Sequence, residues 1–275
     1  MDHDRRVAGH YHGEAIADTL LAALAAQGVD LDRLTPEDLA PVDQFHGRGL
    51  AATRDMCGLL DPRPGEAVLD IGCGIGGPAR WVARTHGCRV TAVDLTPAYC
   101  DAARALNRAT GLDDAVAVHC ASATDLPFAD GAFDAAYSQF VVMNVADKAA
   151  FHREAFRVLK PGGRLVVSVV ARGPAGEPDY PVPWAEGPET SFLSTPDEAR
   201  AQAAAAGFQV LACHDMTGVY AAAYAEMRDL VKRHGPPALG VHLFMGPRMK
   251  AMQRNLAGAV AAGRAAPLEL LCRRP

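Results

Sequence analysis

The length, composition and charge of the chain limit the classes of protein to which it can belong. The chain has 275 residues, 49% of them hydrophobic and 21% charged, with a formal net charge of −5. These values are typical of a globular protein with one substantial core. The negative charge, without a block of Lys and Arg, argues against nucleic acid as the main partner. No apolar run reaches membrane-spanning length, and the polar start does not resemble a secretory signal.

The cysteines indicate the compartment in which the protein works. Seven cysteines are scattered through the chain without a C-x-x-C pair, which favours reduced thiols over disulfides or a zinc site. The sequence therefore predicts a cytoplasmic protein without a metal. A monomer and a homodimer are both open.

The first 60 residues contain predicted helices but no predicted strand. Apolar residues at helical spacing predict a helix over residues 13–27, and Thr35-Pro36-Glu37-Asp38 has the cap, proline and acids of a helix start. A further helix is predicted over residues 49–60. Because no strand alternates with these helices, we expect residues 1–60 to lie across the rest of the protein as a helical lid.

From Ala67 the chain alternates between strands and helices. This alternation predicts parallel strands with right-handed crossovers and helices on both faces of the sheet. The predicted strands are 68–71, 89–94, 115–119, 133–138, 164–170, 208–214 and 267–272, and the predicted helices are 97–109, 146–160, 196–206, 217–234 and 243–262. Ligands of such sheets bind beyond the carboxyl ends of the strands. We expect residues 171–195 and 215–262 to be insertions that cover the substrate there.

A glycine-rich turn follows the first of these strands. Residues 68–80 read VLDIGCGIGGPAR, so a buried strand leads through glycines into a helix that begins with proline. Free backbone N–H groups of such a turn come close to a ligand. The spacing is G-x-G-x-G (Gly72, Gly74, Gly76), whereas dinucleotide enzymes use G-x-G-x-x-G. The carboxylate of Asp70 would oppose a pyrophosphate but could hold a cationic amine, which points to S-adenosylmethionine. A glycine turn without a ligand is the alternative.

Further candidate cofactor contacts lie at the same edge of the predicted sheet. Asp94 ends the second strand, where a carboxylate can accept hydrogen bonds from both ribose hydroxyls, and Leu95 can pack on the adenine. A helix-capping role is the alternative for Asp94, although Thr96 already offers a cap. Gln139 ends the fourth strand and can bind the methionine part of the cofactor. Cys73 joins this set as a member of the glycine turn.

The glycine-rich turn resembles the first motif of the class I S-adenosylmethionine-dependent methyltransferases. Residues 121–134 and 156–165 are similar to segments of the ubiquinone/menaquinone-biosynthesis group of these enzymes. The resemblance implies an α/β fold for residues 61–275, namely a Rossmann-like, doubly wound, seven-stranded sheet that is mostly parallel with an antiparallel last strand. S-adenosylmethionine is the implied cofactor.

The same resemblance implies roles for individual residues. Ser122 stands where the group usually has an Asp that accepts from the adenine amino group, and the backbone N–H of Ala123 addresses the ring. Residues 46–53 look like the segment before the glycine turn in phosphobase N-methyltransferases, where it lines the methionine end of the cofactor. In that family an N-terminal tyrosine closes over the site. Tyr11 and His46 are therefore candidate catalytic residues.

The implied reaction is methyl transfer to a small organic acceptor by in-line displacement, which requires alignment of the reactants and exclusion of water. An amine or thiolate acceptor needs no base. A hydroxyl or a protonated amine needs one, and Tyr11, His12 and His46 are the candidates. Nitrogen, oxygen, sulfur and carbon acceptors all stay open. The alternatives are an NAD(P)-dependent oxidoreductase on a Rossmann fold and a cofactor-binding protein without catalysis.

Three residues are candidate substrate contacts. Asn144 follows the fourth strand, close to the expected position of the methyl group. Trp184 lies in the proline-rich loop, and His242 stands with Phe244 and Met245 near a helix start. These side chains could form an apolar wall for the acceptor, and ordinary packing is the alternative for each.

Overall fold

A computed structural model describes residues 16–246 and 248–275, which form a seven-stranded sheet with helices on both faces. The strands are β1 (Ala67–Ile71), β2 (Arg89–Asp94), β3 (Val116–Cys120), β4 (Phe133–Gln139), β5 (Leu159–Arg172), β6 (Gln209–Asp215) and β7 (Ala265–Arg273). The helices are α1 (Ile16–Ala26), α2 (Pro36–Asp43), α3 (Leu50–Leu60), α4 (Gly77–His86), α5 (Pro97–Ala109), α6 (Lys148–Val158), α7 (Pro196–Ala205), α8 (Thr217–His234), α9 (His242–Met245) and α10 (Met249–Ala261). Short 3-10 helices lie at Leu31–Arg33, Val142–Asn144 and Pro188–Thr190.

The strands are ordered β3-β2-β1-β4-β5-β7-β6 across the sheet. The pairs among β1 to β5 are parallel, and β7 runs antiparallel to both of its neighbours. The predicted fold class is confirmed. The strand order reverses between β1 and β4, so the loops after these two strands diverge and leave a crevice at their carboxyl ends.

Burial on both faces explains the apolar strands. β1 and β4 are buried along nearly their whole length, as parallel strands covered by helices on both sides usually are. On one face Met56 and Trp81 belong to the core that α3 and α4 form with the sheet. On the other face Phe151 and Leu256 belong to the core under α6, α7 and α10.

The N-terminal helices close a third hydrophobic cluster. Leu20 and Leu24 of α1 are fully buried in a cluster with Tyr99 and Leu106 of α5. These contacts place α1 against a helix of the sheet domain. The boundary between a lid and a catalytic domain at residue 60 stays a prediction.

Two predicted elements differ from the structure. The helix expected over residues 146–160 ends at Val158, and Pro161 and the two glycines after it lie inside β5. There the pairing with β4 shifts by several residues, an irregularity that accommodates proline and glycine within a sheet. The helix expected over residues 243–262 is two helices, because Gly246 has a φ of 76° and ends α9. Within the described residues no helix is long and apolar enough to cross a membrane.

Candidate active site

A cleft of about 2170 Å³ opens at the carboxyl edge of the strands. It brings together most of the residues that the sequence predicts for the site. Those lining it are Asp70, Gly72, Cys73, Gly74, Asp94, Leu95, Ser122, Ala123 and Gln139 from the cofactor set, His46 from the catalytic set, and Asn144, Trp184 and His242 from the substrate set.

The glycine-rich turn forms one wall of the cleft. Gly72, Gly74 and Gly76 have φ angles of 85°, 54° and 81°, in the left-handed region that L side chains disfavour. A Cβ on Gly72 would also overlap the side chain of Val141. Gly76 is not among the residues that line the cleft, and a Cβ there would lie 3.0 Å from Nη1 of Arg80. Gly72 and Gly74 therefore line the cleft, and Gly72 and Gly76 permit close packing of Val141 and Arg80 against the turn.

Arg80 is fully buried beneath this turn. Its Nη2 donates to Oδ2 of Asp43 at 3.0 Å and to the carbonyl oxygen of Ile75 at 2.7 Å, and its Nη1 donates to Oδ1 of Asn107 at 2.9 Å. Asp43 is the last residue of α2 and is itself buried. The ion pair therefore fastens the N-terminal helices to the glycine-rich turn. The sequence analysis did not identify it.

Asp94 is held at the mouth of the turn by backbone groups. The N–H of Gly74 donates to Oδ2 of Asp94 and the N–H of Thr96 donates to Oδ1, each at 2.9 Å. Desolvation raises the pKa of this carboxyl, and these backbone hydrogen bonds act against the rise. Asp94 lines the cleft, and each of its oxygens can accept a further hydrogen bond, because a carboxylate oxygen accepts more than one. Ribose binding and fixing of the turn are thus compatible roles.

Asp70 lies deeper, at the end of β1. The hydroxyl of Tyr137 donates to its Oδ2 at 3.0 Å, and burial raises the pKa of Asp70 to about 8 despite this hydrogen bond. A carboxyl group in this position is mostly protonated at pH 7 and would ionise beside a cation. The Asp70 carboxyl can therefore change from protonated to ionised when a cationic ligand binds beside it.

The predicted adenine contacts follow β2 and β3, at the same edge of the sheet. Oγ of Ser122 accepts from the N–H of Thr124 at 3.2 Å and also lies 2.8 Å from Oγ1 of Thr124. The Ser122 hydroxyl thus stabilises its own turn. Leu95 and Ala123 line the cleft nearby, and adenine binding by these three residues stays a prediction.

Gln139 has an amide nitrogen without a partner among the described residues. Its Nε2 is buried and makes no hydrogen bond, while its Oε1 lies 3.4 Å from Oγ1 of Thr53. The Thr53 hydroxyl also lies 2.6 Å from Oε1 of Gln44, whose own Nε2 donates to Asp43. A buried donor without a partner costs free energy, so Gln139 is ready to donate to a ligand in the cleft.

His46 lies beside this network. Its Nδ1 is 3.3 Å from the carbonyl oxygen of Gly47, and its Nε2 is 3.2 Å from Oγ1 of Thr53. The ring stacks on Phe140, with centroids 5.6 Å apart and an interplanar angle of 22°. Desolvation lowers the pKa of His46 to about 4. The imidazole is therefore neutral at pH 7 and a weak base.

Two tyrosines of α8, which the sequence analysis missed, pack beside this part of the wall, and one of them, Tyr224, lines the cleft itself. The ring of Tyr220 lies 5.9 Å from that of Phe140 and 6.0 Å from that of Tyr224. A Cβ on Gly47 would lie 2.8 Å from the Tyr224 hydroxyl. The small residue at position 47 therefore allows α8 to approach the N-terminal segment, although the two are more than 170 residues apart in the sequence.

The predicted substrate contacts occupy different environments. Nδ2 of Asn144 donates to the carbonyl oxygens of Trp184 and Thr190 at 2.6 and 3.3 Å, so this side chain holds the proline-rich loop. Nε1 of Trp184 donates to Oγ of Ser191, and the indole is buried. His242 is exposed at the start of α9. Substrate binding by Asn144, Trp184 and His242 stays a prediction.

Phe244 and Met245 differ from the expected acceptor wall. The Phe244 ring packs against Phe45 and Tyr99 at 5.1 and 6.3 Å, and the Tyr99 hydroxyl lies 3.9 Å from the Met245 sulfur. Phe244 therefore joins α9 to both the N-terminal segment and α5, and Met245 joins α9 to α5. Tyr11 and His12 lie outside the described residues. Within residues 16–246 and 248–275, no group of three or more His, Cys, Asp or Glu side chains could hold a metal ion.

Comparison with known proteins defines the class of this domain. Residues 69–167 match the family model described as a methyltransferase domain. They begin in β1 and end in β5, and so include the glycine-rich turn, Asp94 and Gln139. This match confirms the predicted resemblance of the segment to the class I methyltransferases. The resemblance to the ubiquinone/menaquinone-biosynthesis group stays a prediction.

Individual relatives agree with this class. Methyltransferase GfsG of Streptomyces halstedii is 34% identical over 169 residues, which cover 61% of this chain and 59% of the relative. A phosphoethanolamine N-methyltransferase of Triticum aestivum is 37% identical over 130 residues, covering 47% of this chain and 25% of the relative. The chain thus spans less than two thirds of the length of either relative.

A solved structure shares the whole architecture. Geranyl diphosphate C-methyltransferase from Streptomyces coelicolor A3(2), crystallised with Mg²⁺, geranyl-S-thiolodiphosphate and S-adenosyl-L-homocysteine, superimposes with a TM-score of 0.74. The superposition covers 100% of this chain and 99% of that chain at 20% sequence identity. This likeness shows a common fold.

Proposed function

We propose that the protein is an S-adenosylmethionine-dependent methyltransferase that acts on a small organic acceptor. The observation that carries the proposal is the glycine-rich turn between two carboxyl groups, Asp70 behind it and Asp94 at its mouth. Gln139 lines the same cleft, and its buried amide nitrogen has no partner among the described residues. Two carboxyl acceptors and one amide donor fit a ligand with a ribose at one end and an ammonium and a carboxylate at the other.

The residues present divide the cofactor between them in this proposal. Asp94 would accept from the ribose hydroxyls, Asp70 would face the ammonium group, and Gln139 would donate to the methionine carboxylate. Leu95 and Ser122 would contact the adenine. When bound, S-adenosylmethionine supplies an electrophilic methyl group for an in-line displacement. The chain itself aligns the reactants and excludes water, the main requirements of such a reaction.

The N-terminal helices serve as the lid in this proposal, with residues 1–60 forming the lid and residues 61–275 the catalytic domain. The buried ion pair between Asp43 and Arg80 and the contact of the Phe45 ring with Tyr99, at 5.7 Å between centroids, support this division of labour. Both contacts hold the segment after α2 against the edge of the sheet where the cofactor would bind.

The lowered pKa of His46 bears on the chemistry of the acceptor. A neutral imidazole whose conjugate acid has a pKa of about 4 is too weak a base to take a proton from an alcohol efficiently at pH 7. We therefore expect His46 to orient the acceptor or Phe140. An acceptor that needs a base would depend on Tyr11 or His12, whereas an amine or a thiolate would need none.

A reducing, cytoplasmic setting also belongs to the proposal. All seven cysteines are free, and five of them are buried. Free thiols are typical of proteins in reducing compartments. A monomer or homodimer without nucleic acid as partner is consistent with the acidic chain.

Calorimetric titration tests the cofactor. We expect S-adenosylhomocysteine to bind with a dissociation constant on the order of 1 μM, or about −8 kcal/mol, and NADH to give no heat. Incubation with S-adenosylmethionine labelled in the methyl group, over a panel of amines, thiols, phenols and carbon acids, then identifies the acceptor class. Binding of NADH without binding of S-adenosylhomocysteine would overturn the proposal.

A further inference from the structure

The cleft is larger than the cofactor site requires. Ligand pockets usually measure about 300–1,000 Å³, whereas this cleft measures about 2170 Å³. Beyond the glycine-rich turn it continues along α8, α9 and α10. The additional space is a second binding region, and its lining shows what it fits.

Part of this region is an apolar stripe on α8. Val219, Met227 and Leu230 line the cleft and are exposed by 44%, 54% and 37%. With Ala223 and Val231, which also line the cleft, they follow one face of the helix at spacings of three and four residues. Large exposed apolar side chains concentrated on one face, inside a cleft, mark a surface that binds an apolar molecule.

The charges of the cleft are separated between its two ends. Toward the glycine-rich turn the lining includes four acidic residues, Glu37, Asp70, Asp94 and Asp147. The one basic residue described there, Arg48, forms an ion pair with Asp55 at 2.7 Å. Along α8 and α10 the lining includes four basic residues, Arg228, Lys232, Lys250 and Arg254, with Glu226 as the acidic residue. The acidic end of the cleft suits a cationic cofactor, and the basic end suits a negatively charged acceptor.

Two of the basic residues are available for a ligand. Lys250 and Arg254 lie four residues apart on α10, and so on one face of the helix. Among the described residues neither has an ion pair, whereas Arg228 and Lys232 both lie within 4 Å of Asp229, at 3.5 and 3.9 Å. Lysine and arginine bind carboxylate and phosphate oxygens through charge-assisted hydrogen bonds.

We propose that the acceptor is an amphipathic organic anion. Its apolar body lies along Val219, Met227 and Leu230 of α8, and its carboxylate or phosphate group is bound by Lys250 and Arg254 of α10. This inference rests on the proposed function, which it extends by naming the chemical class of the acceptor.

Fluorescence titration with an anionic and a neutral probe tests the proposal. The probes are 11-(dansylamino)undecanoate and its carboxamide, which share the apolar body and differ in charge. The carboxylate is expected to bind at least about tenfold tighter than the amide, since one charge-assisted hydrogen bond contributes roughly that factor. Displacement by dodecanoate or by dodecyl phosphate identifies the preferred anion, and inorganic phosphate shows whether the apolar body is needed.

The variants separate the two parts of the site. In Lys250→Gln/Arg254→Gln the two probes should bind equally, whereas Arg108→Gln/Arg153→Gln, which removes two exposed charges that do not line the cleft, should keep the preference. Met227→Gln/Leu230→Gln should weaken both probes by a similar factor. Equal binding of the probes by the unmodified protein, or an unchanged preference in the α10 variant, would overturn the inference.

Titration with S-adenosylhomocysteine on the same proteins keeps the two proposals apart. All of these variants should retain its affinity, because none of the substituted residues belongs to the cofactor set. A preference for the anionic probe without binding of S-adenosylhomocysteine would refute the proposed function and leave an anion site. Binding of S-adenosylhomocysteine without the preference would refute the acceptor class alone.

Discussion

Asp70 makes a quantitative prediction about proton release on cofactor binding. With a pKa of about 8 in the free protein, its carboxyl is about nine-tenths protonated at pH 7. A bound ammonium group favours the ionised form, so binding should release up to about 0.9 proton at pH 7. Because the complex then holds fewer protons than the free protein, affinity should rise about tenfold per pH unit between pH 6 and 7 and level off above pH 8.

Calorimetry in two buffers with different ionisation enthalpies measures this release directly. S-adenosylhomocysteine is a suitable ligand, because it carries the same amino-acid end. Asp70→Asn should abolish the proton release and the rise in affinity with pH. Glu37→Gln, which removes an exposed carboxylate of the same cleft, should retain both. No proton release by the unmodified protein at pH 7, or an equal release by the Asn variant, would refute the reasoning.

The raised pKa of Asp70 makes the free energy of unfolding fall with rising pH, whereas cofactor affinity rises. The unfolded chain loses the Asp70 proton near the ordinary value of 3.8, whereas the folded protein keeps it to about pH 8. The folded form therefore binds more protons over this interval. The contribution of Asp70 to the free energy of unfolding is largest below pH 4 and declines as the pH rises toward 8.

Three substitutions test other parts of the site. Arg80→Met should lower the free energy of unfolding by about 3–5 kcal/mol, because it leaves the Asp43 carboxyl buried without its partner; Arg84→Met, an exposed neighbour on α4, is the control, and equal denaturant midpoints for the two would show that the pair is not important. Asp94→Ala should weaken S-adenosylhomocysteine binding by the loss of two hydrogen bonds to a charged group, each about 1.5–3 kcal/mol, and unchanged affinity would remove Asp94 from the site. Ser122→Asp should hold or raise that affinity, because a carboxylate accepts more strongly from an amino group and can still accept from the Thr124 N–H; a large loss with an intact fold would show that Ser122 faces something other than adenine.

The parts of the site that the sequence predicts are those fixed by short-range pattern. Asp70, Asp94 and Gln139 each stand at the end of a strand, and adjacent parallel strands end at the same edge of a sheet. Apolar runs and turn residues locate those strand ends within about two residues. The meeting of these side chains in one cleft therefore follows from local sequence and one topological rule.

The parts that the sequence does not predict depend on contacts between distant segments. Arg80 and Asp43 are 37 residues apart, and nothing in the pattern around either distinguishes it from a surface charge. Tyr220 and Tyr224 reach Phe140 and Gly47 because α8 folds back over the cleft. That return depends on packing of the whole insertion, which helical periodicity alone does not specify.

The start of β5 differs between the sequence prediction and the structure. Pro161 and the two glycines after it are typical of a helix end and a turn, and this local preference predicts the strand only from Arg164. The structure begins β5 at Leu159, which pairs with Phe133, and accommodates the intervening residues as an irregularity. Tertiary pairing outweighs the local preference here, because Leu159 and Phe133 both belong to the same buried core.

The buried face of α1 changes how the lid has to be tested. The sequence indicates that the sheet domain would fold without residues 1–30, since strands begin only at Ala67. Leu20 and Leu24, however, are fully buried against α5. Burial of these two side chains alone is worth about 3–6 kcal/mol, which is comparable to the net stability of a typical domain. Loss of turnover after that deletion would therefore report unfolding as readily as loss of a lid.

Removal of residues 1–15 is the sharper test of Tyr11 and His12, because it deletes both candidates and leaves every described helix in place. The truncated protein should keep its affinity for S-adenosylhomocysteine and its thermal midpoint while losing turnover of the acceptor found in the radiolabel screen. Tyr11→Phe and His12→Gln assign the loss to one side chain, and His3→Gln is the control within the same segment. The dependence of turnover on pH is a second criterion for a catalytic base. A base that must be unprotonated makes turnover fall as the pH drops below its pKa, and this fall should disappear in the variant that lacks it. Full turnover by the truncated protein would remove both residues from the catalytic site, and the acceptor would then have to react without a base from either residue, as an amine or a thiolate can.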